Sequence, residues 1–201
     1  MNKPLLKRQP GYEYMSFDDF EELLQDKPED ARWELINGRV IRGMVGARIE
    51  HHHIIDNLAT AITNHLKATK RICRVYRESF YLKERSLDLS ALPDVMVRCG
   101  PFPPGATSVN DPLILIEIVS PSSEHRDRLE KRIAYQALPS LQTHVLIERD
   151  NMLIDVYERT PAGFIGAAPL SKPDDTLKLA PIDFAITLAD IYVDTLTGSG
   201  Q

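Results

Sequence analysis

The sequence predicts an α/β fold in which a mixed β-sheet is flanked by helices and preceded by an N-terminal helix and a β-hairpin. Short apolar runs rich in β-branched residues are typical of strands, two longer stretches have the apolar spacing of helices, and the two kinds alternate along the chain. The chain has 201 residues, 43% of them hydrophobic and 26% charged. These values fit one large folded domain and exclude disordered, collagen-like and low-complexity chains.

The N-terminal elements have clear local signals. Ser16 precedes acidic residues and the helically spaced Phe17, Phe20, Leu23 and Leu24, so we expect a short helix with Ser16 as its N-cap. The segments 32–36 and 39–42 flank Asn37-Gly38, a dipeptide that tolerates positive φ at both positions. The pattern predicts a tight β-hairpin.

The rest of the chain alternates helical and extended patterns. Residues 50–70 predict the longest helix, because apolar side chains recur there every three or four residues, and 124–138 predict a second one after serines that can cap it. From 168 onward we expect a closing strand and a short terminal helix within 177–191. The other apolar runs predict strands at 74–82, 92–98, 113–119, 143–148 and 152–158.

The sequence also predicts where the protein resides. The longest apolar run, 112–119, contains a glutamate and is shorter than the roughly 20 residues of a membrane-spanning helix. The N-terminus lacks the apolar core of a signal peptide. Cys73 and Cys99 fit neither a zinc motif nor a disulfide framework. We therefore expect a cytoplasmic protein without a membrane segment, whose two cysteines are reduced.

Charge is distributed unevenly along a chain whose net charge is -5. Residues 13–30 carry eight acids against one lysine, whereas 67–85 carry seven cations against two acids. The basic segment has two interpretations of equal weight. It is either a solvated edge strand protected by charge or a strip that faces nucleic-acid phosphates through Lys70, Arg71, Arg74 and Arg77.

Two acidic residues stand in predicted buried strands. Asp94 lies in Pro93-Asp-Val95, and Glu117 interrupts the most hydrophobic run of the protein. Because an unpaired buried carboxylate costs several kcal/mol, such a pair either shares a proton, meets basic side chains or binds a divalent cation. We favour the cation.

Two further residues join this hypothesis. Glu34 lies among bulky apolar residues in the hairpin, and Lys131 shares a helical stripe with Ala134 and Tyr135. An ammonium group beside a metal ion could stabilise charge that develops on phosphoryl oxygens. The set therefore favours phosphodiester hydrolysis.

Other motifs exclude other chemistry. His51, His52 and His53 are consecutive on a helix, point in different directions and cannot bind one zinc ion together. There is no G-x-S-x-G elbow, so the serines of 120–123 are better explained as helix caps than as nucleophiles. Walker and Rossmann glycine motifs are also absent from the sequence.

The ordered strings Glu34-Leu-Ile-Asn-Gly38, a histidine before a long apolar helix, Pro93-Asp-Val95 and Glu117-Ile-Val-Ser-Pro121, followed by an Asp127–Lys131–Tyr135 series, resemble the Uma-two endonuclease family. That family belongs to the PD-(D/E)xK restriction-endonuclease-like superfamily. The resemblance covers about 15–195, so we expect one restriction-endonuclease-like domain there, an N-terminal extension at 1–14 and a C-terminal tail at 196–201.

The resemblance implies roles for single residues. Asp94 and Glu117 would be the metal-binding acids, with the backbone carbonyl of Ile118 as a third ligand, and Glu34 would be an acid supplied by the N-terminal part. The superfamily lysine normally stands two residues after the second acid, where this chain has Val119. Lys131 matches a lysine displaced to the next helix.

Three further residues also match positions of the family pattern. Asp127 and Tyr135 match positions beside the displaced lysine. His51 is either a contact to water or phosphate or a surface histidine at the start of a helix.

The resulting hypothesis is a Mg2+-dependent endodeoxyribonuclease, with Mn2+ as an alternative ion. Asp94 and Glu117 hold the cation that activates water, and Lys131 and Glu34 assist. DNA is the expected partner, and a homodimer is expected by analogy with enzymes that cut two strands. The alternative is a catalytically inactive nucleic-acid-binding or assembly module that keeps the fold, which the interrupted E-x-K pattern favours.

Overall fold

The computed structural model describes residues 11–44, 46, 48–120 and 126–195 of the chain. The helices are α1 (Phe17–Leu23), α2 (Ile49–Ala68), α3 (Arg132–Gln136) and α4 (Leu188–Ile191). The strands are β1 (Ala31–Ile36), β2 (Arg39–Met44), β3 (Cys73–Arg77), β4 (Tyr81–Glu84), β5 (Leu89–Ala91), β6 (Val95–Cys99), β7 (Ser108–Val109), β8 (Ile114–Val119), β9 (Thr143–Glu148), β10 (Ile154–Thr160), β11 (Gly163–Gly166), β12 (Thr176–Leu179) and β13 (Phe184–Thr187).

The strands form a six-stranded mixed sheet with two smaller sheets around it. Its order is β11-β10-β9-β8-β6-β3, with β8 and β9 parallel and the other neighbours antiparallel. A second sheet has the strand order β2-β1-β5-β4-β7, and β12 pairs with β13 in a third sheet. This arrangement confirms the predicted mixed α/β fold, and the helical segment between β8 and β9 forms the crossover that parallel neighbours require.

The two N-terminal elements form as predicted. Ser16 caps α1, since its side chain accepts a hydrogen bond from the backbone N of Asp19 at 3.2 Å. Asn37 and Gly38 join β1 to β2 with φ values of 51° and 80°. Both angles lie in the left-handed region that the two-residue hairpin turn requires.

The long helix α2 covers the six-stranded sheet. Its buried positions include the predicted stripe Ile54, Ile55, Leu58, Ile62 and Leu66. These side chains pack with residues of β6, β8 and β9 in the largest apolar core. The N-terminal end of α2 lies beside the acids described below, which is how the helix positions His51. No helix among the described residues is both long and apolar enough to cross a bilayer.

Two predicted strands are wrong in their extent. The segment 74–82 is two strands in different sheets, β3 and β4, because the chain turns at Glu78 with φ 24°. The segment 92–98 begins as a strand only at Val95, where β6 starts. Pro93 has no N–H to donate to a strand ladder, so Asp94 precedes the strand instead of lying inside it.

The later elements also differ in detail. Within the predicted helix 124–138, residues Arg126–Lys131 form a π-helical turn that continues into α3, while 124 and 125 lie outside the described residues. The predicted closing strand is a hairpin, β12 and β13, which reverses near Asp183 at φ 55°. The short terminal helix is α4.

The prediction of reduced cysteines is wrong in this structure. Cys73 and Cys99 face each other across β3 and β6 and are joined by a disulfide. The cross-strand register brings them together, and the sequence alone does not reveal which residues of two strands are paired. The expected cytoplasmic location stays a prediction.

The disulfide is expected to stabilise the domain. It closes a loop of 26 residues, for which loop-closure entropy predicts about 3 kcal/mol. Urea unfolding of the Cys73→Ser, Cys99→Ser variant should therefore give an unfolding free energy lower by about that amount. As a control, the thiols of the wild-type protein are titrated after it is unfolded in denaturant without a reducing agent. Two free thiols per chain there would contradict the bond.

Candidate active site

Glu117 is the acid at the centre of the six-stranded sheet. It lies on the fully buried strand β8 and is 2% exposed. Its Oε1 accepts hydrogen bonds from the hydroxyl of Tyr135 at 2.7 Å and from Nζ of Lys131 at 3.0 Å. Both donors come from the helical segment after β8, because that segment packs back over the strand it follows.

Lys131 joins Glu117 to an acid of the second sheet. Its Nζ lies 3.2 Å from Oε1 of Glu34, and the lysine side chain is itself 2% exposed. Glu34 Oε1 also accepts a hydrogen bond from the backbone N of Leu92 at 2.9 Å. The structure therefore brings three residues predicted for the site into direct contact, and it places the ammonium group between the two carboxylates.

Asp94 lies between β5 and β6 beside these groups. Its Oδ2 accepts a hydrogen bond from the backbone N of Ile118 at 2.7 Å. Its Oδ1 faces Arg32 Nη2 at 3.4 Å and His51 Nε2 at 3.5 Å. The structure thus shows Ile118 as a donor that fixes Asp94, while a ligand role for the Ile118 carbonyl stays a prediction.

Glu78 is a site residue that the sequence did not reveal. It occupies the turn between β3 and β4, and its Oε1 lies 3.4 Å from both His51 Nε2 and Arg32 Nη1. His51, Glu78 and Asp94 each offer one ligand atom, and these atoms lie within 4.8 Å of one another. In the sequence, Glu78 stands out only as an acid that follows a basic strand. That pattern does not indicate which residues of other elements lie beside it.

The three consecutive histidines diverge only in part, because His51 and His52 face the two oxygens of Glu78 while His53 turns away from them. His51 faces Asp94, His52 Nδ1 lies 3.6 Å from the other oxygen of Glu78, and His53 Nδ1 lies 2.6 Å from the backbone O of Asp194. Among the described residues, the group able to hold a metal ion includes His51 and neither of the other two.

The surrounding charges shift the protonation of this cluster. Burial alone would raise the pKa of Asp94, but the His51 hydrogen bond and the charges of Arg32 and Lys131 hold it well below its usual value. Burial alone would lower the pKa of His51, and hydrogen bonds to Asp94 and Glu78 raise it to about 9. His51 also lowers the pKa of Glu78. The carboxylates of Asp94 and Glu78 are therefore ionised at neutral pH.

The donor chemistry fits a divalent cation. Among the described residues, four carboxyl groups, those of Glu34, Glu78, Asp94 and Glu117, lie together with three positive groups, Arg32, Lys131 and His51, whose pKa is raised to about 9. The surplus of acids favours an added positive charge. Carboxylate oxygens suit Mg2+ and Mn2+, and an imidazole adds affinity for Mn2+ and related ions.

A cavity of about 440 Å3 opens on one side of the cluster. Arg32, Glu78 and Leu92 connect its wall to the buried acids. Among its other lining residues are Lys27, His52, Arg77 and Tyr81. The cavity borders the Glu78 side of the cluster, and Lys27 places a further positive charge on its wall.

The other residues singled out from the sequence either lie away from the acid cluster or are not described by the structure. Asp127 belongs to the π-helical turn, but its side chain is not among those the structure describes, so its role stays a prediction. Ser122 and Ser123 lie outside the described residues. Arg77 pairs with Asp56 near the cavity, and Lys70, Arg71 and Arg74 lie toward the far end of α2.

His144 is a buried residue next to Tyr135. Its ring centroid lies 5.5 Å from that of Tyr135, and within the described part of the chain neither ring nitrogen has a hydrogen-bond partner. Burial, with the nearby charges of Arg132 and Lys131, lowers the pKa of His144 to about 3. The imidazole is therefore neutral in the folded protein at any pH well above that value.

This depressed pKa predicts acid sensitivity. An unfolded chain binds a proton at His144 below about pH 6.5 while the folded chain does not, so the unfolding free energy falls as the pH falls. Between pH 6.5 and 5 the loss amounts to about 2 kcal/mol. His144→Phe, which fills similar space without titrating, should flatten that part of the urea-unfolding profile. An unchanged slope in the variant would contradict the assignment.

Comparisons with known proteins agree with the fold. A family model described as "Uma2: Putative restriction endonuclease" matches residues 17–189. An uncharacterised protein of Synechocystis sp., slr1290, is 28% identical over 145 residues, which cover 71% of this chain and 75% of that protein. A crystal structure from Anabaena variabilis, titled a putative nuclease belonging to DUF820, is similar in fold with a TM-score of 0.72 and 21% identity, over 89% of this chain and 97% of that one.

Proposed function

The chain belongs to the Uma2 restriction endonuclease family, and from this premise we propose that it is a metal-dependent endonuclease that hydrolyses the phosphodiester bonds of DNA. Family and fold support a nuclease-like function. The observation that carries the proposal is the position of Lys131. Its buried ammonium group lies between Glu34 and Glu117, beside Asp94. This position supplies the lysine that the superfamily pattern lacks at Val119.

The alternative, an inactive nucleic-acid-binding or assembly module, rested on that interrupted pattern. Lys131 weakens this support, because an ammonium group reaches the second acid from the next helix. Buried ion pairs also contribute little net stability compared with apolar residues of the same volume. A structural role alone therefore does not explain why Glu34, Glu117 and Lys131 are buried together beside Asp94, and this supports a catalytic role.

The metal would be held by Asp94 together with one of two donor sets. The sequence predicts Glu117 and the Ile118 carbonyl as its companions, whereas the structure groups Asp94 with His51 and Glu78. When bound, a divalent cation would polarise the phosphoryl group and lower the pKa of a water molecule.

The residues of the chain would position the reacting groups. Lys131 and Arg32 carry the positive charge that stabilises developing charge on phosphoryl oxygens, and Glu34 holds Lys131 in place. The backbone N of Ile118 orients Asp94. Tyr135 fixes the carboxylate of Glu117 by donating a hydrogen bond to it.

The test is cleavage of supercoiled plasmid DNA with Mg2+, Mn2+ or EDTA. We expect nicking with either metal and none in EDTA, because the acid cluster needs the added cation. Nicking that persists in EDTA would contradict the metal requirement. DNA binding without cleavage under any of these metals would favour the binding module. A dimer stays a prediction that light scattering of the same preparation tests.

A further inference from the structure

Four exposed cations surround a second cavity of about 400 Å3 at the C-terminal end of α2. Lys67 belongs to the last turn of the helix, Lys70 and Arg71 to the following turn, and Arg74 to the edge strand β3. We name these four residues the α2–β3 basic patch. Thr63, Leu66, Cys73 and Val75 complete the lining of the cavity.

The cations of the patch differ from most other cations whose side chains the structure describes, because those are paired with acids. Within the described residues, none of the four forms an ion pair with a carboxylate, although the net charge of the chain is -5. Arg71 and Arg74 make hydrogen bonds only to backbone carbonyls, those of Pro181 and Cys73. By contrast, acids neutralise Arg42, Arg77, Lys83, Arg85, Arg98, Arg128 and Arg149.

The patch and the active-site cavity lie along the same edge strand. Arg77, at the end of β3, lines the active-site cavity, and Arg74, three residues earlier, lines the patch cavity. Three strand residues span about 10 Å. Along α2, the 16 positions from His51 to Lys67 span about 24 Å. Because Arg74 and Arg77 leave β3 on opposite faces, the connection between the acid cluster and the patch runs along the exposed side of α2.

The length along α2 can be expressed as a length of duplex DNA. At 3.4 Å per base pair, 24 Å corresponds to about seven base pairs of B-form DNA. A duplex cut at the acid cluster and lying along α2 would bring its phosphates to the patch. Each cation placed against a phosphate adds affinity without reading sequence.

We propose that the α2–β3 basic patch binds the sugar–phosphate backbone of duplex DNA about seven base pairs from the scissile bond. This inference rests on the proposed nuclease function, since it extends the substrate of the same site. The disulfide between Cys73 and Cys99 anchors the start of β3 and so holds one wall of the patch in place. The substrate class is a duplex long enough to reach both sites at once.

The test measures binding apart from cleavage. Fluorescence anisotropy with a labelled 30-base-pair duplex in EDTA compares the native chain with a Lys67→Gln, Arg71→Gln, Arg74→Gln variant. We expect the variant to bind at least about tenfold more weakly near 0.1 M salt, and the slope of log K against log salt to fall in magnitude by about 2 to 3.

A matched control removes the same charge elsewhere. The Arg42→Gln, Arg85→Gln, Lys172→Gln variant also loses three exposed positive charges, two of them already paired with acids, and should bind nearly as the native chain does. Equal affinities of the two variants would overturn the inference. If the native chain still nicks plasmid in that case, the proposed function stands while the inference falls.

Duplex length gives a second measurement. We expect the native chain to bind a hairpin-closed duplex of about 5 base pairs, too short to reach both sites, much more weakly than a 30-base-pair duplex, and the patch variant to lose most of this difference. A native chain that binds both lengths equally would overturn the inference even if the patch variant were unstable. Failure of the native chain to bind either duplex would overturn the inference together with its premise.

Discussion

Replacing Asp94 with asparagine is expected to reduce metal-dependent plasmid nicking by on the order of 10³-fold or more. Asp94 is the acid common to both candidate donor sets, and its carboxylate is ionised because Arg32, His51 and Lys131 favour its charge. The amide oxygen of asparagine can still accept the hydrogen bond from the backbone N of Ile118. The variant should therefore fold, and its defect should lie in metal binding and catalysis.

Two further variants decide which acids accompany Asp94. Glu78→Gln should weaken Mn2+ binding in calorimetry if the ion lies with His51 and Glu78, whereas Glu117→Gln should weaken it if the ion lies with Glu117. Each substitution keeps the size of the side chain and removes one charge. An Asp94→Asn protein that nicks plasmid at the native rate would refute the role of Asp94 in either set.

Local patterns explain why much of the fold could be predicted. The positive φ values of Asn37 and Gly38 follow from their residue types, and the buried face of α2 follows from the spacing of its apolar residues. Each of these signals lies within a single turn or helix. The parallel pairing of β8 and β9 follows from a helical crossover between two apolar runs. Signals of this kind need no knowledge of distant residues.

The parts that were missed depend on contacts between elements. Cys73 meets Cys99 only through the register of β3 against β6, and a shift of one position would separate them. The break between β3 and β4 occurs at Glu78, a residue type for which a positive φ is uncommon. The sequence therefore could not indicate that Glu78 turns toward His51.

The acids and the lysine of the candidate site were predictable for a different reason. Glu34 and Glu117 stand in apolar surroundings, where a charged residue is costly unless it has a partner. Lys131 lies on the same side of the helical segment as the buried Ala134 and Tyr135, so the sequence could predict that its side chain points inward. Their catalytic roles stay predictions, since position alone does not establish them.

Replacing Lys131 with methionine is expected to affect both stability and activity. Methionine keeps the length of the side chain but leaves Glu34 and Glu117 without the ammonium group between them. Breaking a buried ion pair in this way costs about 3 to 5 kcal/mol, measurable by urea unfolding. Plasmid nicking should fall by on the order of 10²-fold or more, because a cation near the phosphate is lost.

A double variant separates these two effects. Adding Glu34→Gln to Lys131→Met removes one stranded carboxylate outside both candidate metal donor sets, and the amide oxygen can still accept the hydrogen bond from the backbone N of Leu92. The unfolding free energy should therefore recover by about 1 to 3 kcal/mol relative to the single variant. Nicking should stay as low as in Lys131→Met, since recovered stability does not restore the ammonium group. If nicking recovered together with stability, Lys131 would be a structural residue, and the proposed catalytic role would be wrong.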